Sequence, residues 1–120
     1  MNSNNSSPLL TVKIIFEGKL EPSSKTLVFV SIIDVTRADA PSRAVLQHVI
    51  ENIDKMPNQE IKLYGRIPDK ESSYAVRVHV DVDGDGKVSV GDYITMESYP
   101  VLTYGYPNYV SVRVKKVEKR

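Results

Sequence analysis

Four aspartates within one short stretch carry the chemistry that this sequence offers. The run Asp81-Val82-Asp83-Gly84-Asp85-Gly86-Lys87-Val88-Ser89-Val90-Gly91-Asp92 has carboxylates at its first, third, fifth and twelfth positions and a glycine at its sixth. That is the spacing of a calcium loop, in which a tight turn wraps a hard cation in oxygens. On this reading Asp81, Asp83, Asp85 and Asp92 supply carboxylates, Lys87 its carbonyl, and Ser89 a ligand given directly or through water. Gly86 permits the positive φ of the bend, and the apolar Val88 turns inward to anchor the loop. Two carboxylates about 4 Å apart repel by about 4 kcal/mol at an effective dielectric of about 20, so gathering four of them favours a Ca2+ between them. Asp92 stands where Glu is usual, and its shorter arm makes bidentate ligation harder. The competing reading is an acidic Asp-Gly hairpin turn that stays in solvent.

The elements that must hold this loop are strands. Val12, Ile14 and Phe16 alternate with polar neighbours, and Leu27 to Ile33 is apolar at nearly every position, as in a central strand covered on both faces. Ala44 to Ile53 is ambiguous, a short helix by composition but favoured as strand by the β-branched Val45, Val49, Ile50 and Ile53, and Glu60 to Arg66 reads as strand. Tyr74, Val76, Val78 and Val80 alternate and run straight into Asp81. Tyr93 to Glu97 resumes after the loop until Ser98-Tyr99-Pro100 breaks it, and Val110, Val112 and Val114 close the chain. Turns are expected at Glu21 to Ser24, Lys55 to Asn58 and Gly105 to Asn108. The pattern predicts an all-β fold, a small β-sandwich of about seven strands with an EF-hand-like loop at a hairpin tip. Because strands flank the loop, it is not the helix pair of a calcium sensor. The expected division is a disordered leader over 1–10, one domain over 11–117 and a tail over 118–120.

At 120 residues the chain is long enough for one well-filled core. Its 16 basic and 15 acidic residues give no general pull toward nucleic acid or acidic membrane. With no cysteine it has no disulfide, thiolate site or cysteine nucleophile, and no lipid-bearing cysteine as given. No apolar run reaches transmembrane length. The first ten residues lack a signal-peptide pattern. The expected location is therefore the cytoplasm if the chain is complete, and the bacterial envelope if an export signal was removed.

Three stretches carry a likeness: Asp34-Val35-Thr36-Arg37-Ala38-Asp39-Ala40-Pro41, Tyr74-Ala75-Val76-Arg77 and Tyr99-Pro100-Val101-Leu102-Thr103. In their order and spacing the chain resembles the YbaY-type lipoprotein domain family, related to the YscW-type pilotins of type III secretion, over roughly 11–117. The resemblance implies a small β-sandwich anchored in a bacterial envelope, with no catalytic residues to carry over. The acidic loop is a departure from that pattern.

Other residues weigh less. Asp34, Arg37 and Asp39 read as an Asx-turn with an internal ion pair. His48 and His79 read as surface histidines, because no serine or carboxylate pairs with either by spacing. Tyr99, Tyr104, Tyr106 and Tyr109 read as cover for an open sheet edge, and Lys115 to Arg120 as a solvated end. The first functional expectation is a non-catalytic calcium-binding domain with a structural or interaction role and an unidentified protein partner. The alternative is a pilotin-like chaperone that binds an apolar peptide of an envelope protein, with the metal loop incidental. An enzyme is disfavoured, since no nucleophile-base pair or phosphate loop is legible.

Overall fold

The structure, a computed structural model, describes residues 7–17, 24–37, 39, 41–51, 59–103 and 107–118. Within them the expected all-β fold is present. Strands β1 (Leu10–Phe16), β2 (Leu27–Asp34), β3 (Arg43–Ile50), β4 (Glu60–Leu63), β5 (Tyr74–Asp81), β6 (Tyr93–Thr95), β7 (Pro100–Val101) and β8 (Tyr109–Lys116) follow one another. They join in one sheet of order β3-β2-β5-β6-β8-β1-β4, with β7 also paired to β5. The expected turn at Lys55 to Asn58 lies outside the described residues, as do much of the leader, most of the Glu21 to Ser24 turn and part of the Gly105 to Asn108 turn.

The alternating valines and isoleucines decide how this sheet curls. Val28, Val30 and Ile32 of β2 and Val76, Val78 and Val80 of β5 bury their side chains in the same core as Leu10, Val12 and Ile14 of β1 and Val112 and Val114 of β8. Each such side chain contributes about 1.5–3 kcal/mol when removed from water. The three-residue β6 links the two halves, pairing Val80 with Tyr93 on one side and Tyr93 with Lys116 on the other. The halves therefore face each other across one core. The first and last strands run parallel at its centre, Val12 beside Val110 and Ile14 beside Val112.

The ends of the sheet nearly meet. A Cβ added at Gly65, just beyond β4, would sit 2.8 Å from Leu46 Cδ1 of β3. Among the described residues β3 pairs only with β2 and β4 only with β1, so each keeps an open edge.

Three local expectations are corrected. β2 is not covered on both faces, because Leu27, Phe29 and Ser31 are only half-buried on the outer one. The Glu60 to Arg66 and Tyr93 to Glu97 strands are shorter, ending at Leu63 and Thr95. Pro100 does not end the pairing but begins β7, where a strand's first residue tolerates a missing N–H. Between β6 and β7 the chain leaves the ladder, and β5 is satisfied otherwise: Val78 N–H donates to Thr95 Oγ1 at 3.3 Å and Val76 N–H to the Tyr99 carbonyl at 3.0 Å.

Candidate functional site

The β5–β6 hairpin carries the acidic run at its tip. β5 ends on Asp81, β6 begins just after Asp92, and both aspartates are buried, at 0% and 1% exposure. Two opposed strands thus bring the two ends of the run together, while Asp83 and Asp85 stay exposed on the turn. Carboxylate oxygens of Asp81, Asp83, Asp85 and Asp92 all lie within 4.8 Å of one another.

The buried pair is already engaged by the loop's own backbone. Asp81 accepts from Gly84 N–H at 3.1 Å and from Gly86 N–H at 2.7 Å. Asp92 accepts from Val82 N–H at 3.0 Å and Ser89 N–H at 3.1 Å, and more weakly from Ser89 Oγ at 3.4 Å. It also binds His79 Nε2 at 2.8 Å. Asp85 accepts from the Lys87 backbone N–H at 2.9 Å, and the Lys87 residue itself is exposed. A carboxylate buried without such donors costs several kcal/mol, so these bonds are what let Asp81 and Asp92 sit inside.

Glycine makes the wrap possible. Gly84 and Gly86 take φ of 70° and 79°. At Gly84 a Cβ would lie 2.4 Å from the Lys25 carbonyl, so the loop packs backbone to backbone on the segment before β2. The buried Thr26 adds a bond from its Oγ1 to the Val82 carbonyl at 2.9 Å. At the far end Gly91 N–H donates to the Val117 carbonyl and Val117 N–H to the Asp92 carbonyl, at 2.9 and 2.7 Å. The loop is a clasp joining the start of β2 to the end of β8.

Charge crowding remains at the tip. The Asp83 carboxyl is pushed above its usual range, first by its hydrogen-bond contact with Asp81, then by partial desolvation and the Asp85 charge. Asp85 is held below that range, first by the Lys87 N–H. Each carboxylate oxygen has two lone pairs, so the backbone bonds leave acceptor capacity, and the donor set fits a hard cation. Lys87 is exposed, and Ser89 is half-buried against Asp92.

Two expectations about the loop's surroundings fail. Val88 does not anchor it, being 57% exposed beside Val90 at 62%. The anchor is instead the hydrogen-bonded Asp81 and Asp92. His79 is not a surface histidine without a carboxylate partner: its side chain is 15% exposed, bound to Asp92 and stacked on Phe29 with centroids 5.6 Å apart. The pairing escapes a reading by spacing because the β5–β6 hairpin, not the local sequence, brings position 79 to position 92. Elsewhere, Asp34 Oδ1 accepts from Thr36 N–H at 2.9 Å and Arg37 lies 3.7 Å from Asp39, a turn with a solvent-exposed pair. The Tyr99 hydroxyl donates to Glu97 and accepts from Arg113 N–H, and Tyr109 donates to Glu60, while Tyr104 and Tyr106 lie outside the described residues.

Comparison with known proteins adds an independent line. The family described as "Type III secretion system lipoprotein chaperone (YscW)" matches residues 7–114. Among solved structures, an alternative pilotin from the type II secretion system of Vibrio cholerae is similar in fold, with a TM-score of 0.72 and 21% identity, covering 92% of this chain and 96% of that one. Among curated proteins none matches. These findings overturn calcium binding as the role of the chain. The match spans residues 7–114, from before β1 into β8, whereas the twelve-residue acidic run is one hairpin tip.

Proposed function

Because the chain belongs to the type III secretion system lipoprotein chaperone family, we propose that it is a pilotin-like, non-catalytic chaperone that holds an extended apolar segment of a bacterial envelope protein. The observation that carries this reading is the family match over residues 7–114. The fold supports it with a place to bind: among the described residues β3 pairs on one side only, beside half-buried Val45, Leu46 and Ile50 that reach toward the core. An added strand gains main-chain hydrogen bonds from such an edge, and side-chain pockets give it specificity. An envelope address follows from the family's lipoprotein character, and the finer YbaY-type likeness of Asp34 to Pro41 belongs to the same proposal. No described helix is long and apolar enough to cross a membrane.

The test is direct binding of labelled peptides tiled across the envelope components of a type III secretion system, followed by fluorescence anisotropy in calcium and in chelator. Binding of a subset, unchanged by chelator, is the expected result. Binding that appears only with calcium would return the hairpin tip to the centre of function, and a blank panel would remove the chaperone reading.

Calcium in the tip is a separate proposal, confined to the stability of the clasp. Its support is the convergence of four carboxylates and the crowding felt by Asp83.

A further inference from the structure

We propose that a hollow between the β2–β3 connection and the loop before β5 binds a small oxyanion, a carboxylate or phosphate group, through Arg37, Arg43 and Ser72. The hollow measures about 340 Å³ and is lined by Asp34, Thr36, Arg37, Pro41, Arg43 and Ser72. That is the lower end of the range that takes small ligands, about 300–1,000 Å³.

An irregularity in the sheet puts Arg43 there. Ile32 of β2 faces Leu46 of β3, but Ile33 faces Ala44, so the skipped Val45 brings Arg43 into line with Asp34. Cross-strand partners share a face of the sheet, and a bulge commonly re-aims a side chain in this way. The opposite wall is tied down. Val35 N–H donates to the Ser73 carbonyl at 2.8 Å and Ser73 N–H to Thr36 Oγ1 at 2.9 Å, which brings Ser72 to the turn that carries Arg37.

The polar groups left over in the hollow are donors. Ser72 is only 9% exposed, yet among the described residues its hydroxyl makes no hydrogen bond; its N–H alone is engaged, by the Asp69 carbonyl at 3.2 Å. A hydroxyl so far buried is costly unless a partner reaches it. Arg43 stands beside Asp34 and closes no ion pair among the described residues, and Arg37 has a solvent-exposed contact with Asp39 at 3.7 Å. Asp34, the one carboxylate on the lining, already accepts from Thr36 N–H at 2.9 Å. Two guanidinium forks and a hydroxyl match the planar lone pairs of a carboxylate or phosphate, whereas a cation would meet two like charges. The inference does not rest on the chaperone reading.

Amide NMR spectra of the full chain test it, titrated with sodium phosphate or sodium acetate against sodium chloride at matched ionic strength. The expected result is saturable shifts confined to the amides around Arg37, Arg43 and Ser72, with a Kd on the order of 1 mM and no such response to chloride. Whichever of phosphate and acetate saturates at the lower concentration identifies the group bound. Arg43→Gln should weaken binding by about tenfold, through loss of a charged fork, and Ser72→Ala by about threefold, through loss of one hydrogen bond. The spectra themselves verify that each variant is folded, and Ser72→Ala carries the test alone should Arg43→Gln disturb the start of β3. Shifts that never saturate, that chloride reproduces, or that survive the substitutions unchanged overturn the proposal.

Discussion

Replacing Asp92 by alanine separates a hydrogen-bonded clasp from a cage that depends on its cation. Asp92 is 1% exposed and accepts from Val82 N–H, Ser89 N–H and His79 Nε2 at 3.0, 3.1 and 2.8 Å. The alanine variant removes that acceptor. Each buried donor left unsatisfied costs about 1–3 kcal/mol, and the sum, with Ser89 only half-buried, comes to about 3 kcal/mol. That is a large share of the roughly 5–15 kcal/mol that holds a domain of this size together. Asp81→Ala, which removes the acceptor of Gly84 and Gly86, should cost about 2 kcal/mol by the same reasoning. Asp83→Ala and Asp85→Ala should leave stability unchanged or, for Asp83, slightly raised, because its charge crowds Asp81. The assay is urea unfolding in chelator, read by linear extrapolation. If Asp92→Ala unfolded at the wild-type midpoint, or if all four variants gained stability alike through relief of repulsion, the clasp argument would be refuted.

Further outcomes follow from the same geometry. Gly84→Ala should lower the melting temperature clearly more than Gly86→Ala: both take positive φ, but only at Gly84 does the new Cβ strike a backbone carbonyl, at 2.4 Å. Thermal melts in roughly millimolar calcium and in chelator test the cation: a bound ion raises the melting temperature through RT ln(1 + [L]/Kd), and equal melts would remove calcium from the loop. Asp34 is held below its usual 3.8, first by the Thr36 hydroxyl and then by the Thr36 N–H. A depressed carboxylate stabilises the fold above its unfolded value, and that contribution fades as pH falls through the folded value. Asp34→Ala should therefore melt below wild type at pH 7, with the gap narrowing below about pH 3.8, measured by circular dichroism.

The fold was legible where burial imposes a period of two. The alternation of Tyr74, Val76, Val78 and Val80 marks β5, and Val110, Val112 and Val114 mark β8, because one side faces the shared core. The β-branched run at Ala44 to Ile53 likewise gave β3 to within a few residues. β7 was not legible: two residues bound to β5 after the chain has left the ladder show no period, and Pro100 argues against them. At the tip, the spacing of the aspartates shows which residues converge but not that Asp81 and Asp92 are buried on backbone donors. That depends on Lys25, Thr26 and Val117, remote in sequence and brought in by the curl of the sheet. The acidic run also drew the functional reading toward itself. A strongly charged cluster is conspicuous in a sequence, whereas an open strand edge is a property of pairing and has no letter of its own.

The chaperone reading stands most directly on peptide binding at β3, measured by fluorescence anisotropy in chelator for wild type, Gln47→Pro and His48→Pro. Of two neighbouring residues in an antiparallel strand one N–H points toward β2 and the other outward, so one proline removes an outward donor and leaves the β2 ladder intact. The account predicts that wild type binds an apolar envelope peptide without calcium, and that one of these variants keeps its melting temperature while losing the peptide. Undiminished binding in both folded variants, or binding that requires calcium, would contradict it.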